Sequence, residues 1–234
     1  MDFARWLRLI DGQTAFLEFS VPMGEFSASL GSAAEVGPDF VPMRRRLRLT
    51  ERAAGEVGRE TLERFVAAAF ERAHGARVQH FMPSLLGLED WSGTLRCALG
   101  YRSAAAGRLF LEQYLERPIE SAIAERVAGS GAGAPIDRST IVEVGNLAGR
   151  GCRAAMYLVG QLPRFLMQRG YSWVTFTATE RVRDLLTTFD APLLDLGPAD
   201  PARLADGADD WGAYYRTRPR VMAGWLPHGL KSAP

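Results

Sequence analysis

The run Ile141-Val142-Glu143-Val144-Gly145-Asn146-Leu147-Ala148-Gly149-Arg150-Gly151, with the stretch Arg153 to Gln168 behind it, decides the fold. Thr140 to Leu147 is the most strand-like segment of the chain, and the glycines after it mark a turn. Leu158, Leu162, Phe165 and Leu166 then recur at helical spacing. They predict a helix over 153–168 buried on more than one side, kinked or interrupted at Pro163. Strand, glycine turn and buried helix together are the parts of an α/β unit. Glu143 stands out within it. Set among Ile141, Val142, Val144 and Leu147, its carboxylate falls in a strand expected to be central. Burial there raises its pKa or demands a partner.

Toward the C-terminus, Trp173 to Ala178 reads as a strand and Thr179-Glu180 as the cap and first turn of a helix reaching Thr188. Pro192 to Leu196 and Val221 to Leu226 read as the last strands, with Asp200 to Asp210 a polar loop between them. Toward the N-terminus, Thr94 to Arg102 is a strand with Leu95, Cys97, Leu99 and Tyr101 on one side, and Val78 to Leu88 another, weakened by Pro83. Leu62, Phe65, Val66, Ala69 and Ala73 give a helix over Gly58 to His74, stopped by Gly75. Phe40 to Thr50 alternates as a strand, with Val41, Met43, Leu47 and Leu49 opposite Arg44, Arg46 and Arg48. Leu109 to Leu115 leads into a short helix opened by Pro118 and striped by Ile119, Ile123 and Val127, and Gly129 to Pro135 is a loop. Residues 1–38, with the Gly/Ser/Ala passage Ser27 to Gly37, are expected to form a partly ordered extension to a domain over 39–234. The interleaving predicts an α/β sheet of mixed direction.

Composition narrows the function classes. A net charge of +1 argues against nucleic acid as a partner. Lys231 is the only lysine, a bias that points to a GC-rich bacterial genome. Cys97 and Cys152 make no disulfide framework, and His74, His80 and His228 no metal spacing, so no metal is expected and the histidines read as surface or hydrogen-bonded groups. No apolar run approaches the roughly 18 residues of a transmembrane segment. Arg5, Arg8, Asp11 and Glu18 break any signal-peptide core, so a cytoplasmic location is expected.

A set of runs carries a family resemblance. They are Ala98-Leu99-Gly100-Tyr101-Arg102, Leu109-Phe110-Leu111-Glu112-Gln113-Tyr114-Leu115, Ile141 to Ala148, Phe176-Thr177-Ala178-Thr179 and Trp211-Gly212-Ala213-Tyr214-Tyr215. In order and spacing they resemble the thermostable hemolysin family over roughly residues 80–226. The resemblance implies a GNAT-like acyltransferase fold: a central mixed, mostly antiparallel sheet flanked by helices. In layout it is similar to the acyl-homoserine-lactone synthases, which move an acyl chain from a carrier-protein or coenzyme A thioester to an amine. Their N-terminal arginine–aromatic signature is not reproduced by Phe40 to Leu49.

In that architecture the thioester's phosphates sit at a strand-to-helix turn, usually Gln or Arg, two residues, Gly, one residue, then Gly or Ala. Asn146 to Gly151 has the glycine spacing with Asn in first place. The resemblance thus implies donor binding by Val144, Gly149, Arg150, Gly151 and Arg153, the arginines meeting phosphates or an acidic carrier protein; a plain turn is the alternative. Glu143 becomes the general base, or else a structural partner of Arg96 or Arg102. Asn146 becomes an oxyanion donor beside the backbone N–H groups of Val144 to Asn146, or else a turn residue. Tyr214 or Tyr215 is the candidate acid for the leaving thiolate, against packing of Trp211 and the tyrosines on the sheet. Arg102, Glu112, Trp173, Phe176 and Thr177 are candidate substrate residues; salt-bridging for Glu112, core packing for the aromatics and helix capping for the threonines are the alternatives.

Three functions follow. The first is direct transfer from acyl-CoA or acyl carrier protein to a small amine or amino-acid-type acceptor, giving a signal or surfactant-like N-acyl product; no G-x-S-x-G nucleophile is present for a covalent route. The second is a membrane-active haemolysin, and the third a catalytically silent thioester- or carrier-binding domain. A homodimer is compatible with either enzyme or binding module.

Overall fold

The computed structural model describes residues 47–128, 135–187, 192–205 and 207–227. The expected extension over 1–38, the start of the domain at Asp39, most of the strand from Phe40 and most of the loop from Gly129 lie outside these residues. The elements are β1 (Arg48–Ala53), α1 (Arg59–His74), β2 (Ser84–Glu89), β3 (Leu95–Ser103), α2 (Ile119–Ala128), β4 (Ile141–Gly149), α3 (Cys152–Met167), β5 (Trp173–Ala178), α4 (Glu180–Leu186), β6 (Leu193–Pro198) and β7 (Arg220–Trp225). Short 3₁₀ turns fill several connections, among them Phe110–Gln113 and Tyr214–Thr217.

The seven strands form one sheet in the order β1-β2-β3-β4-β5-β7-β6. Every neighbouring pair is antiparallel except β4–β5. The expected mixed, mostly antiparallel sheet between helices is therefore present. Alternation along the strands splits the core between two faces. Leu86, Leu88, Cys97, Leu99, Tyr101 and Val142 pack against Leu158, Leu162 and Leu166 of α3. On the other face Leu85, Ala98 and Ala148 meet Leu62 and Val66 of α1, and Ile141, Val221 and Ala223 meet Leu111, Ile119 and Ile123.

Two expectations are corrected. The strand expected over 78–88 exists only as Ser84–Glu89. Ahead of it the backbone bonds elsewhere, Arg77 N–H to the Asp210 carbonyl (2.6 Å) and Met82 N–H to the Asn146 side chain (2.8 Å), and Pro83 has no N–H to give. Leu95 lies on the α1 face rather than with Cys97, because a bulge at Leu88/Glu89 pairs Glu89 with Leu95 and skips Arg96. Pro163 sits within α3 without ending it. Among the described residues no helix is long and apolar enough to cross a membrane.

Candidate active site in the gap between β4 and β5

β4 and β5 pair only over Ile141–Val144 and Trp173–Phe176. Just beyond, β4 carries a bulge: Gly145 pairs with Gly100 and Ala148 with Ala98, so Leu99 alone faces both Asn146 and Leu147. Asn146 takes the left-handed conformation there (φ 54°), one that Asn tolerates better than most residues, and its Oδ1 accepts the Met82 N–H. Met82 in turn occupies the space over the strand glycines: a Cβ on Gly100 would lie 2.5 Å from the Met82 Cβ, and one on Gly145 2.7 Å from its Cε. A cavity of about 1440 Å³ opens at this gap. Its walls include Gly145 to Gly149 on one flank, Phe176, Thr177 and Thr179 on the other, and Leu162, Val182 and Leu186 from the helices.

Glu143 lies at the root of the gap, in the cavity wall and 3% exposed. Its Oε2 accepts the Phe110 N–H and its Oε1 the Leu111 N–H, both at 2.9 Å. Burial pushes its carboxyl up to about 7, against the pull of those two N–H groups and the Arg102 charge. Arg102 is its cross-strand neighbour and shares the cavity wall. Arg96 is not its partner; Arg96 pairs with Asp90 instead (2.5 Å). The surroundings of Glu143 are thus built by backbone donors, with Arg102 across the strand pair and, among the described residues, no salt bridge to it.

An aromatic wall faces this point. Tyr214 stacks on Phe70 (6.3 Å between centroids), meets His74 edge-on (5.4 Å) and touches Trp211 (5.3 Å), which reaches Phe110 (5.8 Å). The wall is held by Gly212, at φ 52°, whose backbone packs so closely on the end of α1 that a Cβ would fall 2.3 Å from the His74 carbonyl. The Ala213 N–H donates to that same carbonyl at 2.7 Å. Burial raises the pKa of Tyr214 and lowers that of His74, so both stay neutral near pH 7.

Of the residues proposed from sequence, the cavity brings together Glu143, Val144, Asn146, Gly149, Arg102, Phe176, Thr177 and Tyr214. Others fall elsewhere. Trp173 packs in the core beside Trp225. Arg150 lies over the Phe65 ring at 5.7 Å, outside the cavity walls, as are Gly151 and the exposed Arg153 in the first turn of α3. Glu112 takes the salt-bridging alternative: Arg138 binds both its oxygens (2.7 and 2.8 Å), and the Leu109 and Ile119 N–H groups complete its shell. Sequence reading missed His74, Met82, Phe110 and Tyr114 as wall residues. The strand glycines Gly100 and Gly145 were the available signal, since each marks a close approach.

The thermostable hemolysin family profile matches residues 53–230 of this chain. No curated protein matches it in sequence. Among solved structures, the AHL synthase LasI aligns at 12% identity and a TM-score of 0.50, covering 78% of this chain and 91% of LasI. FeeM, an N-acyl amino acid synthase from uncultured soil microbes, aligns at 12% identity and 0.50, covering 80% and 95%. At these identities the likeness is one of fold, and it is the GNAT-like layout expected from the sequence.

Proposed function

Because this chain belongs to the thermostable hemolysin family, whose fold it shares with the synthases above, we propose that it is an N-acyltransferase. In this reading it moves an acyl group from a coenzyme A or carrier-protein thioester to a small amine or amino-acid-type acceptor. The observation that carries it is Glu143: a buried carboxyl, raised to about 7 by burial, in the wall of a large cavity where two parallel strands part.

The acceptor nitrogen attacks the thioester carbonyl, the C–N bond forms, and Glu143 takes the proton that nitrogen loses. A carboxyl titrating near the working pH is suited to that exchange. Backbone N–H groups of Val144 to Asn146 stabilise the oxyanion at the bulge, and Asn146 positions them by holding its left-handed turn against Met82. As the C–S bond breaks, the Tyr214 hydroxyl gives the thiolate a proton, and the proton held by Glu143 restores it through solvent. The net products are an amide and a free thiol. Arg102, Phe176 and Thr177 line the substrate space, and the turn that leads from Gly149 in the cavity wall to Arg150, Gly151 and Arg153 just outside it serves the donor's phosphates.

The test is Glu143→Gln. We expect the fold to survive and thiol release with an amine acceptor to fall about 100-fold, the scale of lost general-base catalysis. A folded variant whose rate stays within a few-fold of wild type removes Glu143 from the mechanism.

A further inference from the structure

The turn between β3 and α2 serves the cavity twice. Its Phe110 and Leu111 N–H groups hold Glu143, and its Arg108 side chain lines the cavity wall. Arg138 fixes the turn, donating to the Ala104 and Gly107 carbonyls (3.0 and 2.8 Å) and to Glu112. Arg102 lies directly across the strand pair from Glu143, where opposite side chains start about 4.5–5.5 Å apart. Its guanidinium rests against the same turn: a Cβ on Gly107, at φ 131°, would fall 3.3 Å from the Arg102 Nη2. Gly107 immediately precedes Arg108, so two guanidinium groups stand at one corner of the cavity, beside the carboxyl proposed as base.

These two cations lack a counter-charge. Among the described residues Arg102 forms no salt bridge and acts on Glu143 as a nearby charge. Arg108 makes a long bond to the Glu112 carbonyl, at 3.4 Å, and no salt bridge. The carboxylates around them are engaged elsewhere, Glu143 by the turn and Glu112 by Arg138. Asp210, the other carboxylate of the cavity wall, takes the Gln79 amide at 2.8 Å. An acceptor carrying only an ammonium group would meet uncompensated positive charge beside the base. One with a carboxylate next to its amine gives that charge a partner, in the two-pronged form that guanidinium groups favour.

We propose that Arg102 and Arg108 bind the carboxylate of an α-amino acid acceptor and so set its amine beside Glu143. The assignment rests on the acyltransferase reading and narrows it, from amines in general to amino acids with a free carboxylate. The same contact prepares the base. The Arg102 charge pulls the Glu143 carboxyl down, and a carboxylate bound to Arg102 offsets that pull. Glu143 therefore becomes a stronger base when the acceptor is in place.

The experiment gives the full chain two matched acceptor mixtures, the common L-amino acids and the corresponding L-amino acid amides. Binding is read by calorimetric titration with coenzyme A present, and transfer by thiol release from acyl-CoA and acyl-carrier-protein donors. Losing the carboxylate lowers the pKa of the neighbouring amine, so nucleophilicity alone favours the amides. Wild type should nevertheless bind the acids and not the amides, and its kcat/KM should favour acids about tenfold or more, the scale of a charge-assisted pair. Arg108→Gln, at an exposed position, should bring that ratio close to one, chiefly by raising KM for the acids. Arg102→Gln should act in the same direction, and Arg108→Lys should restore part of the preference. Wild type that binds neither mixture, or uses amides as well as acids, overturns the carboxylate site even if acyl transfer is observed, as does an Arg108→Gln variant that keeps the preference. Acid binding that Arg108→Gln loses, without thiol release from either donor, supports the site and removes the acyltransferase reading instead.

Discussion

Glu112 and Glu143 are both buried glutamates that accept backbone N–H groups from the same turn, Glu112 from Leu109 and Glu143 from Phe110 and Leu111. Glu112 also receives the Ile119 N–H and a two-pronged contact from Arg138, which itself bonds Glu120 and the Ala104 and Gly107 carbonyls. Burial pushes the Glu112 carboxyl up, but Arg138 and the N–H groups outweigh it, and its pKa lies below the ordinary value. Glu143 has two N–H groups and the charge of its cross-strand neighbour Arg102, but among the described residues no salt bridge, so burial wins and its carboxyl rises to about 7. The difference teaches that desolvation alone does not decide the state of a buried carboxylate; a guanidinium bound directly to it, as Arg138 is to Glu112, outweighs burial, and one merely nearby, as Arg102 is to Glu143, does not. Glu112 ties the turn, the start of α2 and Arg138 together, while Glu143 lies in the cavity wall with its pKa raised.

The strongest way to break this contrast is to remove the structural member. Glu112→Ala leaves Arg138 half-buried without its main partner and strips the Leu109 and Ile119 N–H groups of their acceptor. We expect a loss of about 3–5 kcal/mol in urea denaturation, the scale for uncompensating a buried charge pair. A loss under about 1 kcal/mol contradicts the structural role.

The pH dependence of stability sharpens the contrast next. The folded pKa of Glu143 is above its unfolded value, so the native state holds the extra proton and the group's contribution to stability is full below pH 4.5. It is lost as pH rises to about 7. At 1.36 kcal/mol per unit, the change is about 3 kcal/mol at most. Glu143→Gln carries no such titration, so its stability relative to wild type should improve between pH 5 and pH 8. Glu112 has the opposite sign: its folded pKa is depressed, and its contribution is present above the unfolded value and lost as pH falls. Denaturation of wild type and both Gln variants at the two pH values checks the two signs together; parallel changes for both contradict the assignment.

The smallest effect is expected at the turn. Arg150→Ala/Arg153→Ala should raise the donor KM a few-fold and flatten its salt dependence, because both arginines are exposed and screened by ions. Unchanged KM at low and high salt removes the turn from donor binding.

Much of this was legible before the fold. The α1 stripe, the β5 boundaries Trp173–Ala178 and the Thr179 cap, whose hydroxyl accepts the Val182 N–H, follow from period and cap chemistry, which are local. Glu143 was legible because a carboxylate interrupts an apolar strand. What failed was long-range. Residues 78–83 alternate like a strand, but the Met82 N–H goes to Asn146, and the N–H of Arg77 just ahead of them to Asp210, both far along the chain. The aromatic wall joins the end of α1 to Trp211 and Tyr214, and nothing near His74 announces those partners. Glu112 and Glu143 look alike in sequence; Arg138, brought in from the approach to β4, separates them.

The central claim is that Glu143 exchanges a proton at its raised pKa, and the pH profile of thiol release by wild type and Glu143→Gln, measured side by side with an amine acceptor, tests it most directly. Wild type should show an acid limb with a midpoint near 7. Glu143→Gln should lie about 100-fold lower at pH 7 and recover part of the gap as pH rises and the acceptor amine becomes neutral on its own. Two profiles of the same shape, within a few-fold of each other across the range, would contradict the account.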